Sequence, residues 1–207
     1  MKEKSQSQPH FQQQFDYQTI HRGKRYGKKR RSWVSFTLTL IAAVFVTIAA
    51  YSMYSDTLFK MGFINENVTF DKLKVITTQL SSITLIDISA VEQKLSVLIK
   101  VLNVFFILSL VNIVLALLTL IFNRTLLKIL NFIIAFFITL IPIGFLYYID
   151  EVADEFAKQL APYVGQVDAS NLLAGANALH NAIIFMGIAT FLYFISLFFR
   201  NRRPKIK

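Results

Sequence analysis

Four carboxylates, Asp150, Glu151, Asp154 and Glu155, form the densest cluster of acidic side chains in the chain. One helical turn apart, they are close enough to share a hard cation. A calcium loop would also bring backbone carbonyls and a tight glycine turn, and neither accompanies them. An acidic patch exposed to solvent is therefore the expectation, and no metal is assigned to it. His180, followed by Asn181, has no second ligand in sequence and makes a poor metal site. Cysteine is absent, which removes thiolate catalysis, cysteine metal centres and disulfide staples. No Walker loop, HExxH, GxSxG or dinucleotide fingerprint occurs, so neither a catalytic residue nor a cofactor is assigned.

The remaining polar groups of interest lie within apolar runs, at helical spacing. Ser109, Asn112, Ala116 and Thr119 make one stripe, and Asn131, Ala135 and Thr139 make another. Ser35, Thr39, Ala43 and Thr47 recur every four residues along an earlier run. In lipid, small side chains let backbones approach closely, and amide or hydroxyl groups bond across helices for about 0.6–2 kcal/mol each. These residues are expected to be glue: Ser109 and Asn112 facing Asn131 and Thr139 across a hairpin, and the earlier ridge packing inside the bundle. No Asp, Glu or Arg stands in the middle of any apolar run, which weakens proton-coupled transport and voltage sensing as functions. Lys100 and Asn103 fall near the end of a run, where a lysine can snorkel.

Those stripes require long helices to carry them. Among 207 residues, 55% are hydrophobic, 20 are Phe, and only 7 are Gly and 4 Pro. Four stretches of about 20 residues can cross a hydrocarbon core of ~30 Å: about 33–54, 97–122, 129–149 and 179–199. The second and third are joined only by Asn123 to Lys128, giving an antiparallel hairpin with Arg124 and Lys128 in its turn. The net charge of +10 is distributed by topology. Nine basic residues precede the first span, five follow the last and two lie in the turn, whereas ten of twelve acids fall in the other two loops. That pattern follows the positive-inside rule.

The expected fold is an all-α integral membrane protein, a four-transmembrane-helix bundle with cytoplasmic N and C termini and two helical extracytoplasmic loops. Residues 1–31 read as a disordered polar, then polybasic, cytoplasmic tail. Residues 32–200 are the membrane domain, with outer loops over 55–96 and 150–178, and residues 201–207 are a second basic tail. In the first outer loop, Phe70, Leu73, Ile76, Leu80 and Ile83 predict an amphipathic helix. Ser89 and Glu92 fit a capping box that starts the second long helix. The third helix is expected to run past Asp150 until Pro162 and Gly165 end it, with a kink at Pro142. Asp168 or Ser170 would cap the last helix, which would include Ala174 to Ala178.

The basic tails are expected to meet anionic headgroups at the cytoplasmic face, and no nucleic-acid motif accompanies the charge. Composition suggests a bacterial plasma membrane. With surfaces but no chemistry, the expected function is a non-catalytic scaffold or accessory subunit of a cell-envelope complex, acting through membrane-protein partners or self-association. A small channel or transporter acting as an oligomer is the alternative.

Overall fold

The structure is a computed structural model that describes residues 32–62, 66–80, 89–164, 168 and 172–199. Both tails, Ile83, Gly165 and Ser170 lie outside the described residues. Four helices dominate: α1 (Trp33–Ser55), α3 (Ser89–Phe122), α4 (Thr125–Val164) and α5 (Asn177–Phe198). Each is long and apolar enough to cross a membrane. The chain is thus built as a multi-pass membrane protein around an all-α bundle. Between the long helices lie β1 (Phe59–Met61), β2 (Glu66–Val68), a short helix α2 (Phe70–Leu80) and β3 (Leu173–Gly175). The long helices form a ring in which α1 packs on α3 and α5, and α4 packs on α3 and α5.

One periodicity fixes the ring. Buried positions alternate in steps of three and four on every long helix: Ser35, Thr39, Ala42, Val46, Ala49 and Met53 on α1, and Leu179, Ala182, Met186, Ala189, Tyr193 and Ser196 on α5. On α3 the series runs unbroken from Leu95 to Thr119, and on α4 from Lys128 to Val152 with Pro142 in register. A mean step of 3.5 residues keeps a seam facing its neighbour as in a left-handed coiled coil. The predicted ridge on α1 is corrected accordingly. A strict four-residue step gains about 40° per step on a helix of ~3.6 residues per turn. By Thr47 the ridge has therefore turned off the seam: Thr47 is exposed and bonds back to the Ala43 carbonyl at 2.9 Å.

The seam between α1 and α5 is the most extensive of the four. Ser35, Ala42 and Ala49 recur every seven residues on one side, and Ala182, Ala189 and Ser196 on the other. Small residues at every second seam position let the two backbones approach, which replaces the hydrophobic drive that lipid removes. Phe45 and Phe185 stack at its flank, with centroids 5.9 Å apart.

At one end the helices differ in height. At ~1.5 Å per residue α3 and α4 are about 50 and 60 Å long, while α1 and α5 span about 35 Å. The space above the short pair is filled by a three-stranded antiparallel sheet of order β2-β1-β3. Phe59, Lys60 and Met61 pair with Val68, Asn67 and Glu66 on one side and with Gly175, Ala174 and Leu173 on the other. Ala176 N–H bonds Leu58 O at 3.0 Å and Ala178 N–H bonds Thr57 O at 3.1 Å, tying the end of α1 to the start of α5. β3 leans on α4 so closely that a Cβ on Gly175 would stand 2.7 Å from Leu146 Cδ2.

This sheet corrects the expectation of purely helical loops. Ala174 and Gly175 belong to a strand, and α5 begins only at Asn177 with Ala176 at its N-cap and no side-chain cap. As expected, α4 runs past Asp150; it passes through Pro162 and stops at Val164, the residue before Gly165. A proline disturbs the turn before it, so a helix can persist for a few residues beyond.

The predicted loop helix α2 covers the bundle. Phe70 and Leu73 are buried, and Phe70 meets Phe106 of α3 at 5.0 Å and Tyr54 of α1 at 6.0 Å between centroids. Its outer face carries Lys72 paired to Glu66 at 2.6 Å and Lys74 lying 3.9 Å over the Phe70 ring. At the opposite end only Asn123 and Arg124 separate α3 from α4. Asn123 closes α3 with a φ of 47° and a bond from its N–H to Thr119 O at 2.8 Å. Asparagine is among the few residues that adopt this left-handed conformation readily.

Candidate functional site

The bundle interior has two halves of different chemistry. Toward the sheet end the seams present Met53, Leu95, Leu98, Leu102, Phe105, Phe145 and Ile149, all buried. Toward the turn they present Ser35, Thr39, Ser109, Asn112, Thr119, Lys128, Asn131, Tyr193 and Ser196, also buried. Ser52, next to the sheet, is the exception; its hydroxyl donates to Asp56 at 2.5 Å.

Two amides cross-link α3 and α4 in the polar half. Asn112 Nδ2 donates to the backbone carbonyl of Asn131 at 3.0 Å. Asn131 Nδ2 donates to Thr119 Oγ1 at 2.9 Å, and that hydroxyl donates on to Leu115 O at 2.8 Å. Thr139 lies elsewhere than the sequence stripe suggested. Its hydroxyl is 2.9 Å from Thr190 Oγ1 and 3.4 Å from Met186 O, so it joins α4 to α5. The same four-residue drift that displaces Thr47 carries Thr139 from one neighbour to the next. Ser35 Oγ donates to Ser196 O at 3.4 Å across the small-residue seam. Ser109 Oγ, Asn112 Oδ1, Asn131 Oδ1 and Tyr193 OH are buried without a protein partner.

Asn131→Leu removes one bond and orphans the Thr119 acceptor. A loss of about 0.6–2 kcal/mol of bundle stability is expected, the range for interhelical bonds in lipid. Steric trapping or SDS titration in mixed micelles would measure it. No loss would show that the amide is idle.

Two further polar residues of the interior, Lys128 and Tyr193, are marked out by the structure rather than by the sequence stripes. Its charge and position place Lys128 in the turn on sequence grounds, yet it occupies the first seam position of α4 and is buried. Its Nζ donates to Phe199 O at 3.4 Å, placing a cation at the C-terminus of α5. A cation there offsets the unpaired carbonyls and the partial negative charge of that helix end. The available signal was the step of three from Lys128 to Asn131 and of four to Ala135. Tyr193 stands in the same relation to Ala189 and Ser196.

No family model matches the chain, and no curated protein or solved structure matches it. What the side chains can do therefore rests on their geometry. The carboxylates occupy the face of α4 opposite the buried Val152 and Ala153: Asp150, Glu151 and Asp154 are exposed. Glu155 turns toward α3, where Lys94 Nζ approaches its Oε2 at 3.8 Å and the Glu151 carbonyl at 3.4 Å. Among the described residues no three His, Asp or Glu side chains converge as metal ligands. His180 is exposed and its Nδ1 lies 3.2 Å from Ala176 O, one turn back on its own helix. Lys100 and Asn103 are exposed on the flank of α3. The arrangement binds helices to each other, and the charged groups decorate the sheet end.

Proposed function

We propose that the protein is a non-catalytic scaffold or accessory subunit of a cell-envelope complex, acting through the end of the bundle that carries the sheet. The observation that supports this is the use made of the polar groups. Inside the spans the amides Asn112 and Asn131 and the hydroxyls Thr119 and Thr139 are engaged between helices. Beyond the spans, the projecting ends of α3 and α4 join α2 and the three strands in one braced crown. Such a frame presents a defined extramembrane surface.

In this proposal both tails and the Asn123–Arg124 turn face the cytoplasm, and the crown lies outside a bacterial plasma membrane. The basic excess at the turn end and the acids near the crown support that orientation. The basic tails then meet anionic headgroups. The channel alternative has less support, because Ser109, Asn112 and Asn131 point into the chain's own core and are unavailable to line a subunit interface.

Crosslinking in intact cells followed by affinity capture tests the proposal. Recovery of a defined membrane-protein partner, lost when exposed crown residues such as Asp71 and Lys74 are reversed in charge, is the expected result. Recovery of the monomer alone would overturn it.

A further inference from the structure

Near the crown end, α3 and α4 part on the side facing away from the bundle and leave a slot of about 310 Å³. Leu98 and Phe145 are its buried floor, Val101 and Ile141 line its sides, and Gly144 leaves it open where a side chain would stand. Tyr148 lies at its upper end. The slot belongs to segments long and apolar enough to lie in a membrane, so the surrounding medium offers it acyl chains.

The charges above it select among lipids. On a helix of ~3.6 residues per turn, Lys94 stacks one turn above Val97 and Leu98, and Glu151 and Glu155 stack one and two turns above Tyr148. Lys94 and Glu155 are each about a quarter exposed and stand 3.8 Å apart, a loose pair open to exchange. This end of the hairpin holds Glu92, Asp150, Glu151, Asp154 and Glu155 against Lys94, Lys100 and Lys158. Its net negative charge disfavours an anionic headgroup. A primary ammonium can donate hydrogen bonds to a carboxylate, which a quaternary ammonium cannot.

We propose that this slot holds one acyl chain of a phosphoethanolamine lipid, its phosphate on Lys94 and its ammonium on the carboxylates of Glu151 and Glu155. The lipid then fills the gap left by Gly144 and bridges the two projecting helices at the membrane surface. This site is independent of the scaffold proposal.

Native mass spectrometry of the full chain, with dioleoyl phosphatidylethanolamine or phosphatidylglycerol supplied separately, tests it. One phosphatidylethanolamine per chain is expected, retained about fivefold better than phosphatidylglycerol, the ratio an exposed ion pair supports. Gly144→Leu should remove that lipid, because the added side chain occupies the slot without meeting a neighbour at its Cβ. Glu151→Gln combined with Glu155→Gln should erase the headgroup preference, because those carboxylates hold the ammonium that distinguishes the two lipids, and Val114→Leu, on an exposed face of α3 elsewhere, should change nothing. A diazirine on the acyl chain should label residues 97–101 and 140–148. Equal retention of both lipids, undiminished binding by Gly144→Leu, or labelling elsewhere would each overturn the proposal. If Gly144→Leu does not fold, the Glu151→Gln/Glu155→Gln and labelling results decide it.

Discussion

Ala189→Leu is expected to destabilise the bundle by about 1–3 kcal/mol, the cost of forcing extra methylenes into a packed core. Ala189 has no exposed surface and sits in the α1–α5 seam, whose opposite face carries the equally buried Ala42 and Ala49. A leucine there finds no space unless the helices separate, and separation also stretches the Ser35 to Ser196 bond, already 3.4 Å long. The matched comparison is Thr47→Leu. Thr47 belongs to the ridge read from sequence but is exposed, so a leucine there should cost less than about 0.5 kcal/mol. Denaturation in mixed micelles compares the two. Equal effects would show that the seam does not follow the three-four alternation.

Tyr193 yields a pair of predictions of opposite sign. Its ring is the largest fully buried side chain among the described residues, and its hydroxyl has no protein partner among them. Tyr193→Phe keeps the ring and removes a buried polar group whose unsatisfied burial costs about 1–3 kcal/mol. It should leave stability unchanged or raise it by about 1 kcal/mol. Tyr193→Ala should open a cavity among helices that cannot fully collapse. Aromatic-to-alanine changes in soluble cores cost about 3–5 kcal/mol. Part of that is transfer from water, which is missing when the unfolded reference lies in lipid as apolar as the core. About 2–3 kcal/mol of cavity and lost dispersion should remain. A clear loss in Tyr193→Phe would show instead that the hydroxyl is satisfied, most simply by a buried water.

The two amide stripes separate what was legible from what was not. Asn112, Thr119 and Asn131 are conspicuous in sequence because polar groups at membrane depth need partners, and those three meet across the α3–α4 hairpin. Thr139 is equally conspicuous, yet it meets α5. Sequence spacing shows that residues share a face but not which neighbour the face meets, because each helix of a ring has two. Lys128 shows the converse. Its charge suggested a solvated turn, while its place in the three-four series puts it beneath the end of α5.

The crown was the least legible part. Strands of three residues carry no measurable alternation, and neither Phe59 to Met61 nor Leu173 to Gly175 differs in composition from a loop. Those strands exist because α1 and α5 are short, lie side by side, and leave their connecting segments within pairing distance. That proximity is a property of the assembled bundle alone.

By itself the sequence determined the number of long helices, their approximate ends and the hairpin with its short turn. Apolar length and charge distribution are local, and a membrane acts on each segment separately. The tertiary structure decided the order of helices around the ring, the small-residue seam between α1 and α5, the division of the core into polar and apolar halves, and the sheet. Each depends on which surfaces meet, and packing complementarity in lipid is settled only when the helices are together.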